Sequence, residues 1–115
     1  MKIKEIAKLL DATFITGEQL AESEIDFAFA SDLMSDVLTL KQADRILLIT
    51  GLCNIQTIRT AEMANVEVVL FVRNKNVTNE MIEIAEEENM VLLQCKYSMF
   101  RAVGMLYVQG LQPVY

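Results

Sequence analysis

Asp44-Arg45-Ile46-Leu47-Leu48-Ile49-Thr50-Gly51 is the stretch on which the fold turns. Four consecutive large apolar residues stand between a charged pair and a glycine. The run is short and does not alternate apolar with polar. It therefore predicts a strand buried on both faces, as in a parallel sheet covered by helices. Downstream, residues 54 to 64 place Ile55, Ile58, Ala61 and Met63 inward at helical spacing, with Asn54 as N-cap. Residues 66 to 72 form a β-branched run that favours a strand. Thr78 caps a helix reaching Asn89, and Met90 to Gln94 reads as a further strand. Ser98 caps a last helix through Phe100, Val103, Leu106 and Tyr107, which Gly110 and Pro113 end.

Upstream, Ile25, Phe27 and Phe29 alternate with small or polar residues, a strand pattern. Ser31 or Asp32 caps a short helix through Met34, Val37 and Leu38. Lys2 to Leu10 has helical spacing, Thr13 to Thr16 is a short strand stopped by Gly17, and Gln19 to Glu24 is loop or a brief helical turn. From residue 25 onward, strands and helices alternate with short links. That order implies an α/β fold: a single three-layer domain over residues 1–115, its largely parallel sheet of about four to five strands covered by helices through right-handed crossovers.

Composition narrows the function. The chain has 115 residues, 53% of them hydrophobic and 23% charged, with 10 basic against 16 acidic side chains and a net charge of -6. It has no histidine, which removes the usual general base and the commonest transition-metal ligand. No Ser-His-Asp or Cys-His arrangement is possible. The two cysteines, Cys53 and Cys95, have no zinc-site spacing and read as reduced thiols of a cytoplasmic protein. Cys53 stands near a helix start, a place that lowers a thiol's pKa in principle. No apolar run approaches the roughly 18 residues of a membrane span. The cations are scattered from Lys2 through Lys41 to Arg101, without the basic stripe that nucleic acid requires. Gly17, Gly51, Gly104 and Gly110 are isolated, and no Gly-Lys pair occurs, so phosphate loops and dinucleotide fingerprints are absent. Neither a cofactor nor a metal is expected, and an enzyme is not.

In an open parallel sheet, ligands bind beyond the carboxyl ends of the strands. Those ends carry Ser31 and Asp32, then Thr50, Gly51 and Asn54, then Arg73 and Lys75, then Lys96 and Ser98. Hydroxyls, amides, carboxylates, three cations and four helix starts suit a small polar or anionic ligand. Asp32 would orient a ribose or amine, Gly51 would admit the backbone, and Arg73 or Lys96 would meet negative charge. Asp32 and Asp36, about one helical turn apart, form a weak acid–base pair without a histidine or metal. N-capping is the competing account of Ser31, Asp32, Asn54 and Ser98, and a tight turn that of Gly51.

The run from Phe29 through Ala30-Ser31-Asp32-Leu33-Met34-Ser35-Asp36-Val37 to Leu38 resembles the signature of the DRTGG domain family. So do Leu48-Ile49-Thr50-Gly51-Leu52-Cys53-Asn54 with Ile58-Arg59-Thr60-Ala61-Glu62 after it, Ser98-Met99-Phe100, and the opening Lys2-Ile3-Lys4-Glu5-Ile6-Ala7. The resemblance spans nearly the whole chain and implies a stand-alone domain of that family. It implies a fold similar to the N-terminal domains of HPr kinase/phosphorylase and of Mur ligases. It also implies a regulatory or accessory role, as in proteins where the domain accompanies CBS pairs or phosphotransacetylases. The name-giving Asp-Arg-Thr-Gly-Gly is absent; Thr50 to Asn54 takes its place at the strand-to-helix turn.

Two functions stand side by side. One is a non-catalytic regulatory or sensor module whose ligand, a nucleotide first, lies against Ser31, Asp32, Thr50, Gly51 and Asn54 with Arg73, Lys96 and Ser98 at the rim. The other is a protein–protein interaction module, a homodimer or accessory subunit, without a small ligand. The seven methionines favour adaptable contact surfaces or fill a core.

Overall fold

The computed structural model describes residues 1–40 and 44–115; Lys41, counted above among the scattered cations, lies outside the described residues. The chain runs α1 (Ile3–Leu9), β1 (Thr13–Thr16), a 3-10 turn (Glu18–Leu20), β2 (Phe27–Ala30) and α2 (Met34–Val37). It continues β3 (Ile46–Thr50), α3 (Ile55–Met63), β4 (Val68–Phe71), α4 (Asn79–Glu87), β5 (Val91–Gln94), α5 (Met99–Val108) and β6 (Gln112–Pro113). The strands form one sheet in the order β1-β5-β4-β3-β2-β6. β2 to β5 are parallel neighbours, β6 pairs parallel to β2, and β1 runs antiparallel to β5.

The α/β architecture and the parallel centre are as the sequence implies. Among the described residues the sheet has six strands, one more than the five that the sequence marks. The extra one is β6, where Gln112 and Pro113 carry no strand signal. Proline cannot donate to a ladder and is tolerated only at an edge, which is where β6 lies.

Parity along each buried strand assigns the two faces. Leu47, Ile49, Val68, Leu70, Val91 and Leu93 pack with α1 and α5 through Ile3, Ile6, Ala102 and Leu106. Ile46, Leu48, Val69, Phe71 and Leu92 pack with α2, α3 and α4 through Met34, Val37, Ile58, Ala61, Met81 and Ala85. Residues 46 to 50 are all buried, as the opening run requires. Of the α3 residues that helical spacing turns inward, Met63 is the one that the structure leaves exposed.

Four helices stop in the same way. Asp11, Asn65, Asn89 and Gly110 take left-handed backbone after α1, α3, α4 and α5. Their amides and those of Ala12, Val66, Met90 and Leu111 bond back into the last turn, for example Val66 N–H to Ala61 O at 2.8 Å and Met90 N–H to Ala85 O at 2.8 Å. These are Schellman closures. Asn and Asp supply the left-handed residue three times, because a short polar side chain tolerates it. Among the described residues, no helix is long and apolar enough to cross a membrane.

Candidate functional site

The carboxyl ends of β2, β3 and β4 meet at Asp32. Its Oδ1 accepts from the Gly51 N–H at 2.7 Å and from the Thr50 hydroxyl at 3.0 Å. The Thr50 Oγ1 in turn accepts from Leu52 N–H at 3.1 Å. Asp32 therefore holds the β3–α3 turn in shape from a strand away. It is not a helix cap: α2 starts after Leu33 without any side-chain cap bond. Ser31 also does something local, accepting from Leu33 N–H at 2.9 Å in a short turn.

The other carboxylate oxygen of Asp32 faces Arg73, whose Nη2 lies 3.8 Å away. Both side chains are half exposed, so this pair contributes little to stability. Its position is more informative. Arg73 and Asn74 have consecutive left-handed backbones, with φ of 66° and 57°. Neither closes a helix, unlike Asp11, Asn65 and Asn89. Strained non-glycine backbone of this kind costs about 1–3 kcal/mol and concentrates at functional sites. Gly51 is what lets Arg73 lie here: a Cβ at residue 51 would sit 2.8 Å from Arg73 Nε. The sequence predicts a turn or close backbone approach at Gly51; the group it admits is a guanidinium.

The remaining sequence candidates divide by topology. Asn54 caps α3, its Oδ1 accepting from Thr57 N–H at 2.9 Å. Beside it an open groove of about 670 Å³ runs between the starts of α3 and α4, lined by Cys53, Gln56, Thr78 and Glu80. Lys96 is exposed after β5, and Ser98 caps α5 by accepting from Arg101 N–H at 3.2 Å. This loop leads to the opposite face of the sheet, because α5 packs with α1 while α2 to α4 cover the other side. β4 and β5 are thus neighbours whose outgoing chains part to opposite faces, the usual place for a ligand crevice. Here the crevice is closed: Arg73 N–H bonds to Tyr97 O at 2.8 Å and Asn74 N–H to Cys95 O at 3.0 Å. Gln94 adds a bond to Lys75 O at 3.0 Å. The open part of the edge is the Asp32–Gly51–Arg73 layer and the adjoining groove.

Cys53 behaves opposite to its sequence position. Burial pushes its thiol up, and the nearby Lys75 charge offsets this only in part. Its Sγ donates to Asn76 O at 3.3 Å. Burial raises the Cys95 thiol as well, against a smaller opposing hydrogen bond from the Tyr97 backbone. A second concavity, about 550 Å³, lies at the amino ends of the strands and includes Glu24, Asp44, Arg45 and Glu67. No motif in the sequence marks it. Its carboxylates repel anions.

A solved regulatory structure shares this fold. It is the structure of the CBS and DRTGG domains of the regulatory region of Clostridium perfringens pyrophosphatase, complexed with an activator, diadenosine tetraphosphate. The match has a TM-score of 0.72 and 17% sequence identity, and covers 98% of this chain. This chain spans about half of that one, 48% of its length. No family model and no curated protein matches the sequence. Likeness at this identity establishes the α/β fold.

Proposed function

We propose that residues 1–115 are a single DRTGG-type regulatory module of the cytoplasm, non-catalytic, that binds a small anionic ligand, a nucleotide first, at the carboxyl edge. The observation that carries this reading is the Asp32–Gly51–Arg73 layer. A fixed carboxylate, a glycine without which the guanidinium could not approach, and an arginine on strained backbone come together on three adjacent strand ends. Arg73 is paired weakly enough to exchange Asp32 for a phosphate, and Asp32 then accepts from a ribose hydroxyl. Ser31, Thr50 and Asn54 complete the floor, with Lys96 and Ser98 as a far rim across the joined β4 and β5 loops. The pyrophosphatase regulatory region, complexed with a dinucleotide activator, supports the choice of nucleotide.

The test is a thermal-shift and calorimetric titration with AMP, ATP and diadenosine tetraphosphate, with inorganic phosphate as control. At a concentration of about 100 times Kd, a ligand adds about 2.7 kcal/mol, which raises Tm by about 10 °C for a domain of this size. Arg73→Ala should abolish that shift while leaving the unliganded Tm nearly unchanged. No shift with any nucleotide at millimolar concentration overturns the nucleotide reading. We propose in addition that the module self-associates, because α5 exposes an apolar face.

A further inference from the structure

α5 buries Ala102 and Leu106 against the sheet. Its outer face carries Phe100, Tyr107 and Val108, exposed at 90%, 66% and 81%. Gly104 lies at the middle of that face, and a Cβ there would meet nothing within 4 Å. A lone folded chain has no use for this combination. Glycine within a helix is destabilising relative to alanine, and Gly104 is neither a turn nor a close approach inside the protomer. Phe100 and Val108 likewise cover little of the described protomer, and Tyr107, which edges onto Leu111 and Pro113, keeps two thirds of its surface free.

We propose that this face is the interface of a twofold homodimer in which α5 crosses its symmetry mate at Gly104. The spacing fits a second copy of this chain. Phe100 and Val108 each stand four residues from Gly104, and Arg101 and Tyr107 each stand three. An antiparallel crossing at residue 104 therefore sets Phe100 against the mate's Val108 and Arg101 against the mate's Tyr107, and repeats both contacts by symmetry. An arginine over a tyrosine ring is a favourable pair; within the protomer Arg101 already lies 4.1 Å from the Tyr97 ring centroid.

Charge points to the same occupant. The chain carries a net charge of -6, so most of its surface repels a second copy. α5 has no Asp or Glu, whereas α4 has Glu80, Glu83, Glu86 and Glu87 on the opposite side of the sheet. Area is adequate as well. The three exposed apolar side chains present about 400 Å² per protomer. Doubled, this sets a ceiling of about 800 Å², which Arg101 and Gly104 widen toward the about 1,000 Å² that a specific interface needs. With axes about 8–10 Å apart, facing Gly104 Cα atoms come within about 3.5–5.5 Å of each other.

This inference is independent of the ligand reading and has its own test. Sedimentation velocity of the wild-type chain over a concentration series should show a dimer. Phe100→Asp should give a monomer with an unchanged circular dichroism spectrum, since residue 100 touches little of its own fold. Gly104→Cys, treated with diamide, should cross-link into a covalent dimer, the facing Cα atoms being within disulfide reach. Glu83→Cys on the outer face of α4 should not. A monomer throughout the series, a dimer that survives Phe100→Asp, or a dimer in which Gly104→Cys fails to cross-link each overturns the proposal.

Discussion

Replacing Asp32 by alanine removes the acceptor for two buried donors, the Gly51 N–H at 2.7 Å and the Thr50 hydroxyl at 3.0 Å. A hydrogen bond to a charged group contributes about 1.5–3 kcal/mol. The two bonds share one oxygen of a half-exposed carboxylate, so the lower end applies and water partly replaces the loss. The expected cost is about 2–3 kcal/mol, with the Arg73 pair adding under about 1 kcal/mol. Asp32→Asn keeps an oxygen in place and loses only charge assistance, for a cost of about 1 kcal/mol. Urea unfolding followed by far-ultraviolet circular dichroism reads both, since the chain has no tryptophan. With a slope of about 1.5 kcal/mol per molar urea, the midpoint should fall by about 1.5–2 M for alanine and by under about 1 M for asparagine. Asp32→Ala within about 0.5 kcal/mol of wild type would refute the claim that this carboxylate fixes the β3–α3 turn. Equal losses for alanine and asparagine would refute the assignment of the bonds to the oxygen.

The two interior glycines should separate cleanly. At Gly17, φ is +80° and an added Cβ would lie 2.9 Å from the Val91 Cα, so Gly17→Ala should cost about 2–4 kcal/mol in urea unfolding. At Gly51 the obstacle is the mobile end of Arg73, so Gly51→Ala should stay within about 1 kcal/mol of wild type while weakening nucleotide binding; equal costs at both sites would show Arg73 to be rigidly held. Cys53 should alkylate with iodoacetamide more slowly than a free thiol at neutral pH, because burial holds it protonated. A folded-state thiol raised above its unfolded value contributes stability fully at neutral pH and loses it as pH climbs through the alkaline range. Labelling as fast as a free cysteine at neutral pH would contradict this environment.

The sheet was readable because its signal is local and repeated. Ile46 to Ile49 and Val68 to Val72 are short, apolar and β-branched or leucine-rich, and Asn54, Thr78 and Ser98 cap the helices that the sequence assigns them. β6 was not readable, since Gln112 and Pro113 become a strand only because the α5 crossover delivers them to the free edge of β2. Asp32 shows the same limit at the site. Its sequence context is that of an N-cap, and capping is a contact within four residues. The bonds it makes cross to residues 18 and 19 positions away, and only the parallel pairing of β2 with β3 brings them within reach. The left-handed pair Arg73–Asn74 had no sequence mark either. Arginine is an ordinary loop residue, and the conformation follows from the bonds of both amides to the β5–α5 loop.

One topological step accounts for both proposed surfaces. The chain advances from β2 to β5 with α2, α3 and α4 on one face, then returns with α5 over the other to place β6 beside β2. That return carries Lys96 and Ser98 away from the α3–α4 side, and the β4 and β5 loops zip together where the chains part. What stays open at the carboxyl edge is the layer over β2, β3 and β4, where Gly51 makes room for Arg73 beside Asp32. The same return lays a ten-residue helix across a face it shares with α1. α5 needs its inner residues to cover Leu47, Ile49 and Leu70, whereas Phe100, Tyr107 and Val108 stay largely exposed. The outer face of α5 carries Phe100, Tyr107 and Val108 beside Arg101 and Gly104, and apolar helix surface is covered when the helix is stable in water. The fold supplies the sheet on one side, and in the proposed dimer a second α5 supplies the other.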